Sequence, residues 1–171
     1  MSGVPALATI AVGVIVARRK AQSQWIDFTW KPVAVLVGLP EASPWTLLSQ
    51  EDEEATFYAG PAGISLYRTE TGNYRANLAS GEPKLWVALR SSGTQPPYEI
   101  FAVTADPAEG EALSETGSDL VDVVPMPDSV RAQIEEFIAQ HHVERPFYKR
   151  QRDRADPEAL ARRRPMHKGR E

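Results

Sequence analysis

Apolar residues alternate with small or polar ones over much of the chain, which is the period of β-strands. Ile10, Val12, Val14 and Val16 fall on one face of such a segment, so we predict a strand with that face in the core. The segment 31–38 (KPVAVLVG) is apolar on both faces, as in a central strand. Further strands are predicted at 56–60, 84–90, 98–105 and 119–127. The pattern predicts a mainly antiparallel, partly curled sheet of about six strands.

The segment 63–78 (GISLYRTETGNYRANL) continues this pattern around a turn signal. Gly72 and Asn73 can supply the positive φ angles that a tight turn needs. We therefore predict a β-hairpin here.

Two segments have the signals of helices. Asp106 precedes Pro107 and Glu109 follows, which predicts a capped helix that ends near Gly117. A firmer helix is predicted from Asp128 or Ser129 to about His142. Its apolar stripe consists of Val130, Ile134, Phe137 and Ile138. We expect this helix to lie across the open face of the sheet, which gives an α+β domain over 8–143 and a basic, flexible tail over 144–171.

The apolar segment 4–17 precedes Arg18, Arg19 and Lys20. It is shorter than the ~20 residues that a membrane-spanning helix needs. A signal peptide has its basic residues before the apolar segment, and here they follow it. We predict a buried strand with a basic turn after it and no membrane span, and we expect a cytoplasmic protein.

Composition narrows the possible chemistry. The 171 residues suit one domain, and the chain has no cysteine, which excludes thiol catalysis, iron–sulfur clusters and cysteine-rich zinc sites. There is no Gly-rich phosphate loop and no serine elbow. His141 and His142 are adjacent, so they do not face one point on a helix. The sequence assigns no catalytic residue, metal or cofactor.

Aromatic and basic side chains leave two weaker candidates for ligand binding. The segment 25–30 (WIDFTW) is expected to pack on the sheet, with a ligand-stacking platform as the alternative. Arginines on a curled sheet could hold phosphate groups. The candidate phosphate-binding residues are Arg68, Arg75 and Arg90.

Charge is distributed unevenly along the chain. The segment 99–122 has seven acidic residues and no Lys or Arg, whereas 144–171 has ten Lys or Arg and five acidic residues. The basic tail could dock on the acidic segment, bind a partner protein or bind nucleic acid. The acidic body disfavours nucleic acid, and aromatic residues beside arginines are typical of protein interfaces. The candidate partner-binding residues are Arg145, Phe147, Tyr148, Lys149, Arg150, Arg152 and Arg154.

Whole phrases of the chain resemble a known family. They are WKPVAVLVGLPEASPW, YRTETGNYRANLASGEPKLWVALR, YEIFAVTADPAEGEAL and VPMPDSVRAQIEEFIAQHHVERPFYKRQRDR. In this order they resemble a proteobacterial family filed as domain of unknown function 3305, over roughly residues 10–155.

The resemblance implies a role beside molybdenum- or tungsten-dependent formate dehydrogenases, because members are often encoded next to these enzymes and their maturation factors. We expect a non-catalytic accessory protein that binds a formate dehydrogenase subunit or maturation factor. The alternative is a protein or enzyme that handles a molybdopterin-guanine nucleotide. The resemblance assigns no catalytic residue.

Overall fold

The computed structural model describes residues 4–38, 40–117 and 119–143. In chain order the elements are β1 (Ala8–Lys20), β2 (Phe28–Val37), β3 (Thr46–Glu51), β4 (Glu54–Leu66), a 3-10 turn (Arg68–Glu70), α1 (Thr71–Ala79), β5 (Lys84–Ser91), β6 (Tyr98–Thr104), α2 (Pro107–Glu115), β7 (Asp119–Pro125) and α3 (Asp128–His141). The predicted α+β class with antiparallel strands is confirmed. The described residues form seven strands in two sheets, where the sequence predicted about six in one.

The two sheets enclose one apolar interior. The first has the order β2-β1-β4-β3 and the second the order β6-β5-β7, with antiparallel pairing throughout. β2 lies beside β7, and β4 lies beside β6. An ion pair of 3.7 Å between Lys31 Nζ and Asp122 Oδ2 joins β2 to β7. The sheets therefore meet along two seams and form a curled, two-sheet body.

The alternating row of β1 supplies one wall of this interior. Ile10, Val12, Val14 and Val16 are all buried there. The facing wall is a second alternating row on β5, which consists of Leu85, Val87 and Leu89. Burial of both rows is the main stabilising contribution that the sequence pattern predicts.

α2 covers the outer face of the second sheet. Asp106 caps it as predicted, because its Oδ1 accepts the backbone N–H of Ala108 at 2.9 Å. Gly110 of α2 packs directly on the indole of Trp86, and a Cβ at this position would come within 2.3 Å of the ring. Glycine is therefore required for the close approach of helix and sheet.

The predicted hairpin at 63–78 is wrong. β4 ends at Leu66, and the 3-10 turn leads directly into α1. Gly72 does not adopt a positive φ. Tyr74 and Asn77 occupy one face of α1 and are both buried, so tertiary burial overrides the local turn signal.

α3 and α1 close one end of the interior. Val130, Ile134 and Phe137 of α3 are buried in the same core as Ile10 and Leu66. α3 therefore lies at the ends of β1 and β4 and against α1, rather than across a sheet face. We call this the closed end. None of the helices in the described part of the chain has the length and apolar character that a membrane span requires.

Candidate functional site

The opposite end of the interior is lined by aromatic rings around an arginine. Arg18 continues the interior row of β1 after Val16, and the pairing with β2 sets Trp30 opposite Arg18. The pairing with β4 sets Phe57 opposite Val16. The strands that bury aliphatic residues in the middle of the molecule thus present a charged residue and large rings at their ends. We call this region the open end.

The guanidinium of Arg18 lies over several rings. Its Cζ is 4.3 Å from the ring centre of Phe28, 5.2 Å from that of Phe57 and 5.7 Å from that of Trp30. These distances are in the range of cation–π contacts. The three rings therefore surround the guanidinium and favour its positive charge at this place.

The rings also contact one another. Trp30 is at the centre, with its ring centre 5.9 Å from that of Trp45, 5.8 Å from that of Phe57 and 6.2 Å from that of Tyr98. The Trp45 and Tyr98 contacts are edge-to-face, an arrangement favoured by the ring quadrupoles. Trp45 has a φ of 65°, a strained conformation for a bulky residue.

A cavity of about 360 Å³ lies in this cluster. Its lining residues are Arg18, Asp27, Phe28, Trp30, Trp45, Phe57, Gln95 and Pro96. The open end therefore combines an apolar wall with a fixed positive charge and two polar side chains. The WIDFTW segment contributes Asp27, Phe28 and Trp30 to this wall.

Arg18 differs from the other arginine that stacks on a phenylalanine. Arg90 lies 3.5 Å from the ring centre of Phe101, and its Nε donates to Asp119 Oδ1 at 3.2 Å. The Asp119 side chain is 1% exposed, so its carboxylate neutralises Arg90 in a partly desolvated setting. Arg18 has no carboxylate within ion-pair distance among the described residues.

A second polar group lies at the closed end, around His142. Arg75 Nη1 is 3.1 Å from His142 Nε2, and Thr71 Oγ1 is 3.0 Å from His142 Nδ1. An arginine can only donate, so Nε2 accepts and Nδ1 carries the proton that it donates to Thr71. Thr71 in turn donates to the carbonyl of Arg68 at 3.4 Å.

The three predicted phosphate-binding arginines do not share one site. Arg68 and His142 line a cleft of about 640 Å³, and Arg75 contacts the same histidine. Arg90 lies on the second sheet in its pair with Asp119. The structure thus places Arg68 in this cleft and Arg75 against one of its lining residues, His142, and it separates Arg90 from both. The seven predicted partner-binding residues of the tail lie outside the described residues.

The adjacent histidines have different environments. His141 packs on Phe137 with 4.6 Å between ring centres, whereas His142 bonds to Thr71 and Arg75. Within 4–38, 40–117 and 119–143, no group of three or more His, Asp or Glu side chains is arranged to hold a metal ion.

Two further segments present large apolar side chains to solvent. Trp25, in the loop between β1 and β2, is 91% exposed, and its neighbour Ile26 is also exposed. Leu47 and Leu48 are exposed on β3, the outer strand of the first sheet. Ile26 and Ser49 of β3 line one cleft, so the loop and the strand border the same region. We call Trp25, Ile26, Leu47 and Leu48 the apolar rim.

Sequence reasoning missed Arg18 as a site residue. It interpreted Arg18 as part of a basic turn after the first strand. The available signal was that Arg18 keeps the alternation of Ile10, Val12, Val14 and Val16, and so falls on the buried face. The rings that surround it come from distant segments, which no local pattern reveals.

Comparison with known proteins gives one match. The family model described as "Protein of unknown function (DUF3305)" matches residues 11–151, which include the residues of the open end. The resemblance seen in the sequence is therefore confirmed. No curated protein matched the chain, and no solved structure matched it.

Proposed function

We propose that this chain, which belongs to the DUF3305 family, is a non-catalytic accessory protein that acts by binding a partner protein. The apolar rim is the observation that carries the proposal. Trp25 is 91% exposed, and Leu47 and Leu48 are each 50% exposed. Of the apolar rim, Ile26 lines the same cleft as Ser49 of β3. Large exposed apolar side chains grouped on a loop and a nearby strand are typical of protein-interaction surfaces, and tryptophan is among the residues that contribute most to binding energy.

The outer strand β3 adds main-chain groups to this surface. All six of its residues, Thr46–Glu51, are exposed, and among the described residues β3 pairs with β4 alone. Within this part of the chain its other edge therefore has N–H and C=O groups that a partner strand can bond. A protein ligand would therefore gain both apolar contacts and hydrogen bonds here.

For the identity of the partner we propose a subunit or maturation factor of a molybdenum or tungsten formate dehydrogenase. This step depends on the family resemblance. The tail residues predicted to bind a partner remain part of the proposal, as a second contact beyond Val143.

Affinity capture with the full chain tests the proposal. The chain is immobilised and incubated with purified formate dehydrogenase subunits and maturation factors, and the retained protein is quantified. We expect the Leu48→Ala and Trp25→Ala variants each to lower retention about tenfold, because a well-packed apolar anchor contributes 1–2 kcal/mol or more. Val123→Ala, an exposed apolar residue on the second sheet, is the control and should bind like the original chain.

A chain truncated after Val143 separates the two proposed contacts. Loss of retention on truncation alone would assign binding to the tail, and loss in the Trp25 and Leu48 variants alone would assign it to the body. If the chain retains none of the formate dehydrogenase components, the proposed partner is wrong. If the truncated chain and the Trp25→Ala and Leu48→Ala variants all retain a partner fully, neither proposed surface binds it.

The cleft at His142 favours a second candidate, a protein that handles a molybdopterin-guanine nucleotide. Arg68 lines this cleft together with His142, and Arg75 bonds to the same histidine. Arginines are suited to phosphate groups. Calorimetry with guanine nucleotides and the pterin cofactor tests it. Arg68→Gln should weaken binding, while Arg131→Gln, which removes an exposed pair with Glu135, should not. Absence of binding at millimolar ligand would exclude this candidate.

A further inference from the structure

We propose that the open end is a binding site for a small planar aromatic molecule that carries a carboxylate or phosphate group. This goes beyond the protein-binding role, because the ligand is a small molecule and the residues are not those of the apolar rim. The proposal depends on the charge of Arg18, the surrounding rings and the conformation of Trp45.

The charge of Arg18 favours an anionic ligand. Its Cζ lies near the ring centres of Phe28, Phe57 and Trp30, and its guanidinium N–H groups form no hydrogen bond with the described residues. A guanidinium has five donors in a planar fork that matches carboxylate and phosphate oxygens. Because no described carboxylate pairs with Arg18, a ligand anion is the group that completes this site.

The rings require an aromatic body beside the anion. Trp30 and Trp45 are half-buried, and both line the cavity of about 360 Å³, a volume within the ~300–1,000 Å³ of small-molecule sites. A planar ring that enters this space contacts the indole and phenyl surfaces that line it. Asp27 and Gln95 at the same wall supply an acceptor and an amide that can orient polar groups on the ring.

The carboxylate of Asp27 also limits the class of ligand. Its negative charge repels any anionic group of the ligand that is not bound to Arg18. A ligand with one anionic group therefore suits the cavity better than a polyanion does.

A packing role alone does not account for the arrangement. Arg90 shows how this fold neutralises a stacked arginine, with the almost fully buried Asp119 as its partner. Arg18 lacks such a partner, although Asp27 lines the same cavity. Trp45 maintains a left-handed backbone at φ 65°, and such strain is concentrated at binding sites. It places the Trp45 ring 6.3 Å from that of Phe57, as part of the cavity wall.

Titration of the full chain with four probes tests the proposal. Benzoate and phenyl phosphate are the anionic probes, and benzamide and phenol are their uncharged counterparts. NMR shifts of the indole N–H groups report the position of binding. We expect saturable shifts at Trp30 and Trp45 but not at Trp86, which lies under α2 on the outer face of the second sheet.

The affinities separate the contributions of charge and ring. Each anionic probe should bind at least about tenfold more tightly than its uncharged counterpart, as expected for one charge-assisted hydrogen-bond pair. Acetate and inorganic phosphate, which lack a ring, should bind more weakly than benzoate and phenyl phosphate. Whichever of the two anionic probes binds more tightly identifies the preferred anion.

Variants of the two stacked arginines complete the test. Arg18→Gln should abolish the preference for the charged probes, and Arg90→Gln should retain it. Arg18→Lys keeps the positive charge but lacks the planar set of guanidinium donors, so we expect an intermediate preference for the charged probes. If circular dichroism shows that Arg18→Gln is unfolded, Arg18→Lys replaces it in the test. The proposal is overturned if neither anionic probe gives saturable shifts at Trp30 and Trp45 up to about 10 mM. Equal affinities for charged and uncharged probes, or an undiminished preference in Arg18→Gln, would also overturn it.

Discussion

The closed end and the open end of the interior use aromatic residues in opposite ways. At the closed end, Phe137 is 5% exposed, and its ring centre lies 6.3 Å from that of the buried Tyr74. At the open end, Phe28 is 40% exposed, and its ring lies under Arg18. Both ends belong to the same strands, yet the helices of the described residues cover only the closed end.

The two ends also differ in whether their polar side chains have partners within the protein. Asn77 at the closed end is buried, and its amide bonds to the backbone of both Lys84 and Ala105. Arg18 at the open end has no carboxylate partner among the described residues. Full satisfaction of polar groups indicates a structural role, whereas an unpaired charge in an aromatic cavity indicates a binding role. The comparison therefore predicts that stability depends on the closed end.

The largest effect is expected from truncation of a ring at each end. Phe137→Ala should lower the free energy of unfolding by about 3–5 kcal/mol, because it leaves a cavity in the core. Phe28→Ala should lower it by less than about 1 kcal/mol, because the ring is already partly in water. Urea unfolding of both variants measures the difference. Equal losses would mean that the open end is also part of the stabilising core.

A somewhat smaller effect is expected from Asn77. Its Nδ2 donates to the carbonyls of Lys84 and Ala105 at 2.8 and 3.0 Å, and its Oδ1 accepts the N–H of Lys84 at 3.1 Å. Asn77→Ala leaves these backbone groups without a partner, so we expect a loss of about 2–3 kcal/mol. Ala76→Ser on the exposed face of α1 is the control. A loss below about 0.5 kcal/mol in Asn77→Ala would show that water replaces the amide.

The two stacked arginines should differ in their effect on stability. Arg90→Gln leaves the buried carboxylate of Asp119 without its cation, and we expect a loss of about 1–3 kcal/mol. Arg18→Gln removes no ion pair, so the loss should stay below about 1 kcal/mol. Thermal unfolding of both variants measures the order. A larger loss in Arg18→Gln would make Arg18 a structural residue and would weaken the contrast between the ends.

The last effect is expected from alkaline pH at the closed end, and it amounts to about 1.4 kcal/mol at pH 11. Burial raises the pKa of Tyr74 from 10.0 to about 12, although the backbone N–H of Tyr67, which donates to the hydroxyl at 3.0 Å, lowers it in part. Between pH 10 and about pH 12 the Tyr74 hydroxyl is deprotonated in the unfolded chain but still protonated in the folded chain. The stability present below pH 10 therefore falls as pH rises, by about 1.4 kcal/mol per pH unit.

Tyr74→Phe isolates this contribution from other titrating groups. Urea unfolding between about pH 9 and 11 should show a shallower loss of stability in the variant than in the original chain. At neutral pH the variant should be about 1 kcal/mol less stable, because the Tyr67 N–H loses its acceptor. Parallel pH profiles for the two chains would contradict the effect of burial on Tyr74.

Local sequence signals predicted much of the fold but only part of the candidate sites. The cap at Asp106 and the stripe from Val130 to Phe137 placed α2 and α3, because capping and helical periodicity act within a few residues. The turn signal at Gly72 failed, since burial of Tyr74 and Asn77 favoured a helix. Arg68 lines the cleft at His142 and Arg75 bonds to that histidine, whereas Arg90 lies elsewhere. Nothing in the spacing of the three arginines predicted this.

The amino-acid sequence by itself determined the strand and helix periods, the caps, the apolar row of β1 and the resemblance to the DUF3305 family. Only the tertiary structure decided that the strands form two sheets, that helices cover one end, and that Arg18 meets Phe28, Trp30 and Phe57 at the other. Phe57 is 39 residues from Arg18 along the chain. Local periodicity determines on which face of a strand or helix a side chain lies, whereas long-range strand pairing and sheet packing determine which residues it contacts.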